Sequence, residues 1–322
     1  MGKVIAVFSA KGGVGKSTTV MMLGEALSGF QGKRVLVIDA DPQTNVSVMM
    51  TPKRESVPDW LRNKCWDFAQ HNKRTLVDFF VSACRNGSAE VSQCVDYMMG
   101  SVSDVREARS VDLIPGNMEL ALFESAFIEA GGHSKLSGAV YSLLLMARST
   151  HDLVLIDCSP GLSALTLSWL EHADAVLSPA TPNYLGIRSL AVFGSLRKLF
   201  ENGSRRFAPR VGTLITMDSN SFAERAAKQT IAAIDRAEGL EPLLRQIPRS
   251  LHMLDAAEYH FPMRRFAEKY PTSAKDDLSL IIRSLAAEVF KRVAQEDHPQ
   301  ASASKSVPAA GSDVLSPIVP QS

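Results

Sequence analysis

One stretch near the start of the chain limits the possible folds more than any other. Val4 to Phe8 is continuously apolar, as in a strand that is covered on both faces. This run enters the loop Lys11-Gly-Gly-Val-Gly-Lys-Ser-Thr18, and Ser17 to Leu27 follows with apolar residues at helical spacing. The order of strand, glycine-rich loop and helix predicts an α/β protein that binds phosphate at the end of its first strand.

The loop contains the residue types that phosphate binding requires. Gly12, Gly13 and Gly15 lack a Cβ, so their backbone N–H groups can converge on phosphate oxygens. The positive end of the helix dipole adds to the same point. Lys16 can supply a full charge to the β- and γ-phosphates, and the Ser17 hydroxyl can ligate Mg²⁺. A glycine turn that binds nothing is the alternative, but the flanking strand and helix favour phosphate binding.

The composition excludes few classes of protein. The chain has 322 residues, 45% hydrophobic and 21% charged, which is typical of a soluble protein with one large domain or two smaller ones. A net charge of +1 gives no overall attraction to nucleic acid or anionic membrane, so any such affinity must come from local patches. We expect no signal peptide before the first strand, and the apolar runs are too short to span a membrane. The cysteines form no CxxC pair, which favours reduced thiols in a cytoplasm; they are Cys65, Cys84, Cys94 and Cys158.

Strand and helix patterns alternate along most of the chain, which predicts a doubly wound, mostly parallel sheet of the P-loop NTPase type. The other predicted strands are Gly32–Asp39, Val111–Gly116, Leu153–Asp157, Ala175–Ser178, Val211–Thr216 and Leu243–Ile247. Further predicted helices are Thr75–Cys84, Ser88–Met99, Leu136–Arg148 and Asp277–Val293. We expect a single domain over residues 1–295, with a helical elaboration at about 44–110. Residues 296–322, rich in Pro, Ser and Ala, are predicted to be a disordered tail.

Three acidic residues follow predicted strands. Asp157 ends an apolar strand, where it can hold Mg²⁺ or its water shell beside the phosphates, although a lone Asp at a strand end is also a common cap. Asp39 and Asp41 lie beyond the second strand and alternate along an extended chain, so they point to the same side. One of this pair can assist the Mg²⁺ shell while the other orients an attacking water. Turn formation before Pro42 is the alternative.

Lys11 is the more informative lysine of the loop. A common phosphate cradle, here the loop Gly12–Thr18, needs only Lys16 as its cation. A second lysine at the front of the loop therefore has no required role within its own site. Supplied to a neighbouring subunit's phosphates, Lys11 would act like an arginine finger in trans. Within one chain it would be solvated.

Six segments together resemble the ParA branch of the deviant Walker A ATPases, in order and over residues 3 to 293 or so. They are Lys11-Gly-Gly-Val-Gly-Lys-Ser-Thr18, Asp39-Ala-Asp-Pro-Gln43, Leu113-Ile-Pro-Gly-Asn-Met-Glu-Leu120, Leu155-Ile-Asp-Cys-Ser-Pro160, Pro182-Asn-Tyr-Leu-Gly-Ile-Arg188 and Ile247-Pro-Arg249. The resemblance implies a protein that binds ATP and Mg²⁺, forms a nucleotide sandwich dimer and coats DNA nonspecifically. It also implies a ParB-like partner or cargo adaptor that stimulates slow hydrolysis.

The resemblance also implies individual roles. Lys11 would contact the partner subunit's phosphates and Lys16 its own, while Asp41 would position the hydrolytic water. The nucleotide would be held by Gly12, Gly13, Val14, Gly15, Lys16, Ser17 and Thr18, with Thr18 on the α-phosphate and Pro248 and Arg249 at the base. The metal site would be formed by Ser17, Asp39 and Asp157.

Two features depart from the family pattern. The segment Pro52 to Arg74 is longer than in typical members, which leaves the partner open. We expect no helix-turn-helix domain ahead of residue 3, which argues against the autorepressing plasmid subtype.

Basic residues cluster in two places and predict the DNA contact. Such clusters can follow a phosphate backbone without reading bases, although a solvated helix face has the same appearance. The first cluster is Arg188, Arg197, Lys198, Arg205, Arg206 and Arg210. The second, less pure, cluster is Arg245, Arg249, Arg264, Arg265 and Lys269.

Three other functions are alternatives to a partition or positioning ATPase. A MinD-like membrane protein would normally end in a basic amphipathic helix, whereas this chain ends in Ser/Pro-rich sequence. A reductase similar to the nitrogenase iron protein would need cluster-binding cysteines, and Cys94 has only Cys158 downstream. A nucleotide-gated scaffold with negligible turnover also remains open. The favoured prediction is a cytoplasmic, nucleoid-associated ATPase that positions a plasmid, a chromosome region or a protein cargo.

Overall fold

A computed structural model describes residues 1–50, 75–86, 97–98, 111–129, 132–203, 205–258, 265–272 and 277–295. The strands are β1 (Lys3–Val7), β2 (Val35–Ala40), β3 (Tyr97–Met98), β4 (Val111–Ile114), β5 (Leu153–Cys158), β6 (Ala175–Ala180) and β7 (Arg210–Ile215). The helices are α1 (Lys16–Gln31), α2 (Asn45–Met50), α3 (Leu76–Asn86), α4 (Glu119–Glu129), α5 (His133–Thr150), α6 (Ala164–His172), α7 (Tyr184–Asn202), α8 (Phe222–Ala237), α9 (Leu251–Ala257), α10 (Phe266–Lys269) and α11 (Leu278–Gln295).

The strands form one sheet in the order β3-β4-β2-β5-β1-β6-β7. Six of them are parallel and β3 runs antiparallel to β4. This confirms the predicted α/β, doubly wound, mostly parallel sheet. Because the carboxyl ends of parallel strands share one edge, the loops after β1, β2, β5, β6 and β7 meet there. Asp39 at the end of β2 lies directly opposite Asp157 at the end of β5.

Strand residues alternate between two hydrophobic cores, one on each face of the sheet. In β1, Ile5 and Val7 belong to the core under α1 and α11, whereas Val4 and Ala6 belong to the core under α3, α5 and α6. Strands buried on both faces explain why these segments read as continuous apolar runs. The predicted closing helix is confirmed as α11.

Two predicted elements were wrong. Within the predicted helix Ser88–Met99, the described residues Tyr97 and Met98 form strand β3, and the remainder lies outside the described residues. The predicted strand Leu243–Ile247 is irregular, and Leu244 in it is 84% exposed. Only its end meets the sheet, where Ile247 N–H donates to the Ile215 carbonyl at 2.8 Å. Just before this segment, the Arg292 guanidinium donates to the carbonyls of Glu241 and Pro242. These carbonyls are therefore paired with a side chain and not with a neighbouring strand.

Several predictions fall outside the described residues. They concern the segment Pro52–Arg74, most of the elaboration at 44–110, Cys65, Cys94 and the tail 296–322. Within the described ranges, no helix has both the length and the apolar character needed to cross a bilayer.

Helix α1 is held in the core by a buried ion pair. Glu25, two turns into α1, accepts from Lys269 Nζ at 2.5 Å and from the Tyr270 hydroxyl at 2.7 Å. All three side chains are buried. Lys269 therefore does not belong to the second basic surface cluster, because its charge is used inside the molecule.

Candidate nucleotide-binding site

The glycine-rich loop connects β1 to α1 and takes its shape from two glycines with positive φ. Gly13 has φ 70° and Gly15 has φ 80°, in the left-handed region that side chains with a Cβ rarely adopt. Gly15 is the N-cap of α1, so the amino end of a 16-residue helix points into the loop. The Thr19 hydroxyl donates to the Gly15 carbonyl at 2.7 Å.

A cleft of about 560 Å³ opens over this loop. Lys16 is buried, and its Nζ donates to the Lys11 carbonyl at 3.4 Å. Burial lowers the pKa of Lys16, while the carboxyl groups of Asp157 and Asp41 act in the opposite direction. The cleft brings together most of the predicted phosphate-binding residues: Gly12, Gly13, Gly15, Lys16, Ser17, Thr18 and Asp41.

A second cavity of about 170 Å³ adjoins the cleft and shares Gly15, Thr18 and Met217 with it. The predicted base contacts Pro248 and Arg249 line this cavity. Its other walls are mostly apolar, and Met217, between cavity and cleft, has a positive φ of 55°. An apolar slot beside a phosphate cradle suits a flat heterocyclic base.

Asp157 is buried beneath the cleft, and neither carboxylate oxygen makes a hydrogen bond of regular geometry with the described residues. Burial raises the pKa of Asp157 well above its usual range, and the neighbouring Asp39 adds to the shift, while the Ser17 hydroxyl opposes it. A buried carboxylate that lacks a hydrogen bond of regular geometry fits a cation ligand better than a structural cap. The described residues contain no metal cage of three or more His, Cys, Asp or Glu. Mg²⁺ here would rely on phosphate oxygens and water as well, as it usually does.

Asp39 is also buried, but both of its oxygens are engaged. Ser47 donates to Asp39 Oδ2 through its N–H at 2.9 Å and its hydroxyl at 2.5 Å, and Asp41 N–H donates to Oδ1 at 3.2 Å. The Ser47 hydroxyl also accepts from Gly116 N–H at 2.9 Å. Burial raises the pKa of Asp39 to about 7, and the hydrogen bonds from Ser47 and Asp41 oppose the shift. Asp39 therefore holds the backbone that carries Asp41, and its predicted metal role stays a prediction.

Lys11 lies at the front of the loop, half-buried. Its Nζ donates to the Thr181 hydroxyl at 3.4 Å, at the carboxyl end of β6. A Cβ on Gly186 would stand only 2.0 Å from the Thr181 carbonyl, so glycine is required for this turn to approach so closely. The contact puts the Lys11 ammonium beside the turn that starts α7.

The first basic cluster is only partly a surface. The side chains of Arg188, Lys198, Arg205 and Arg206 are exposed and Arg197 is half-buried. Arg205 donates to Glu171 at 2.6 Å.

Arg210 was wrongly predicted as a DNA contact. It is 1% exposed, because its guanidinium is enclosed by Asp235 at 2.5 Å, Glu238 at 3.1 Å and the Thr213 hydroxyl. This arginine is part of the interior. In the second cluster Arg245 and Arg249 are exposed, and Arg264 lies outside the described residues.

Sequence reasoning missed several residues of the site. Ser47, Gly116, Thr181 and Thr216 support it through hydrogen bonds or close contacts. Thr216 carried a usable signal, since a polar residue at the carboxyl end of a predicted parallel strand faces the ligand edge of the sheet.

Comparison with known proteins agrees with this geometry. The family model described as AAA domain matches residues 2–204. The chromosome partitioning protein ParA of Caulobacter vibrioides is 30% identical over 268 residues, which cover 81% of this chain and 86% of that protein. An uncharacterized protein of Mycobacterium tuberculosis is 32% identical over 191 residues, 59% of this chain, and the match spans only half of that relative's length.

A solved structure shares the fold. McdA of Cyanothece in its apo form has a TM-score of 0.68 at 22% identity, covering 90% of this chain and 99% of that one. A variant of McdA was solved as an ATP complex, with a TM-score of 0.66. Fold, loop geometry and sequence similarity together show that the chain belongs to the ParA-type P-loop ATPases of the ParA/MinD family.

Proposed function

We propose that this chain is an ATP-hydrolysing partition or positioning protein that closes into a sandwich dimer on ATP and then binds DNA nonspecifically. A ParB-like or cargo-adaptor partner would stimulate its hydrolysis. The observation that carries the proposal is the single cleft that joins the glycine cradle, Lys16 and Asp41, with Asp157 buried beneath it. Its relative in Caulobacter is named a chromosome partitioning protein.

ATP and Mg²⁺ fit the site as substrate and cofactor. The cradle N–H groups and Lys16 suit a triphosphate, and the apolar cavity beside Pro248 suits the base. Ser17 and Asp157 would hold Mg²⁺, which when bound neutralises charge on the phosphates.

Asp41 is proposed to orient the attacking water. It lies on the cleft wall, buried and close enough to Lys16 to affect its pKa. Its Oδ1 accepts from Gln43 N–H at 3.0 Å, which fixes the carboxylate within the loop. A fixed carboxylate facing the phosphates can accept a hydrogen bond from water and align it for in-line attack.

Replacing Asp41 by Ala or Asn should lower the single-turnover rate of ATP hydrolysis by about 100-fold, because the water loses its acceptor. The affinity for ATP should change by less than about threefold, since Lys16 and the cradle remain, so the variant accumulates in the ATP state. Asp41→Asn is the matched variant, because it keeps an oxygen for Gln43 N–H. Hydrolysis at the wild-type rate in both variants would refute the role.

Lys11 is proposed to act on the nucleotide of a second copy. Its ammonium lies beside the turn after β6 and is not needed by the cradle, which has Lys16. A cation delivered across a dimer interface would be used only when two ATP-bound copies meet. The proposed DNA surface consists of the exposed Arg188, Lys198, Arg205 and Arg206.

Lys11→Ala should bind ATP but lose ATP-dependent retention on DNA by at least about tenfold, because a dimer doubles the number of phosphate contacts. Retention is measured on immobilised DNA with ATP, and raising the salt concentration should release the wild type. Lys135→Ala, which removes an exposed lysine of α5, is the matched control. Equal retention of wild type and Lys11→Ala would exclude the trans role.

The proposed location is the cytoplasm, on the nucleoid. A fluorescent fusion viewed with DNA and membrane stains tests it. Signal over DNA supports the proposal, whereas signal at the envelope supports the membrane alternative and diffuse signal with normal ATP binding supports the scaffold.

A further inference from the structure

A hydroxyl group at the far end of the sheet holds the phosphate-binding loop. Thr216 follows β7 and is buried. Its Oγ1 donates to the backbone carbonyl of Val14 at 2.9 Å, across a sequence separation of 202 residues. Val14 is itself buried, so its carbonyl depends on this partner.

The bond fixes the direction of the next N–H group. The carbonyl of Val14 and the N–H of Gly15 belong to one planar trans peptide unit and point in opposite directions. Because the carbonyl points at Thr216, the Gly15 N–H points away from it. Gly15 lines both the cleft and the adjoining cavity, and none of the described residues accepts a hydrogen bond from its N–H.

Gly15 cannot fix this orientation by itself. A glycine adopts positive and negative φ with similar ease, so its φ of 80° is not enforced by its own sterics. On its other side, the Gly15 carbonyl is held by Thr19, through N–H at 2.9 Å and hydroxyl at 2.7 Å. The peptide unit before Gly15 therefore needs an external partner, and Thr216 is that partner.

We propose that Thr216 is a positioning residue of the nucleotide site, whose hydroxyl sets the Val14–Gly15 peptide so that the Gly15 N–H donates to a phosphate oxygen. This inference rests on the proposed function, since it concerns the same cleft. A Thr216→Val variant keeps the shape of the side chain and removes only the donor.

Thr216→Val should weaken ATP binding about tenfold, the loss expected for one misaligned hydrogen bond to a charged group. Affinity is measured by titration with ATP, and tripolyphosphate, which has no base, is titrated as a competitor. The inhibition constant of tripolyphosphate should rise by the same factor. Thr216→Ser should restore both constants to within about twofold, because it keeps the hydroxyl. Thr230→Val, at an exposed threonine of α8, is the control and should bind as the wild type does.

The possible outcomes distinguish failure of the Thr216 inference from failure of the proposed function. Unchanged ATP affinity in Thr216→Val overturns the inference, and so does weaker ATP binding with unchanged tripolyphosphate, which would place the effect at the base cavity. A lowered melting temperature without ligand that Thr216→Ser fails to rescue would indicate packing and overturn it too. Failure of the wild type to bind ATP would instead overturn the proposed function.

Discussion

Replacing Lys16 by alanine is expected to reduce ATP hydrolysis by at least about 100-fold, because the charge that develops on the phosphates loses its lysine partner. The side chain lines the cleft but is almost fully buried, so water cannot replace its charge efficiently. The affinity of the variant for ATP should fall as well. Saturating ATP stabilises a protein that binds it by about 2.7 kcal/mol at 100 times Kd, and this gain should vanish in the variant.

Two measurements test this expectation: the rate of phosphate release and the rise in melting temperature on adding ATP and Mg²⁺. Lys135→Ala is the control for loss of a lysine at a distance from the cleft. A rate of ATP hydrolysis in Lys16→Ala within about threefold of the wild-type rate would show that the cradle is not needed for the reaction.

Asp235→Ala is expected to lower the free energy of unfolding by about 3–5 kcal/mol, because it leaves the guanidinium of Arg210 buried without its main counter-charge. Asp235 accepts from Arg210 at 2.5 Å and from Thr213 through both N–H and hydroxyl, at 3.1 and 2.7 Å. The Arg210 side chain is fully buried, so water cannot replace these bonds.

Urea unfolding monitored by circular dichroism measures the change. Glu238→Ala is the matched control, since Glu238 also pairs with Arg210 but is partly exposed, and it should cost only about 1 kcal/mol. A loss below about 1 kcal/mol in Asp235→Ala would contradict the buried-pair account. It would also indicate that the Arg210 guanidinium is exposed to water and can act as a surface charge.

The parts of the site that could be predicted from sequence are those encoded by neighbouring residues. The cradle is contiguous in the sequence, and its strand and helix adjoin it. Hydrophobic periodicity and glycine spacing were therefore sufficient to predict it. Asp41 and Asp157 were found because polar residues that end apolar strands face the ligand edge. None of these inferences needed a contact between distant segments.

The parts that could not be predicted depend on such contacts. Thr216 and Val14 are 202 residues apart, and Glu25 and Lys269 are 244 apart. A count of charges placed Arg210 and Lys269 on the surface, although each is neutralised inside the core. Asp235 did carry a signal: it lies four residues after the buried Ile231 and so on the same helix face.

The order of strands in the sheet has a consequence for how the molecule is made. β1, which leads into the cradle, pairs with β5 on one side and β6 on the other, through residues 153–157 and 175–177. β1 is therefore synthesised well before both strands that pair with it, and Glu25 is synthesised even longer before its partner Lys269. A nascent chain that already contains the entire glycine-rich loop is therefore still unable to bind a nucleotide, because the neighbouring strands of β1 are missing.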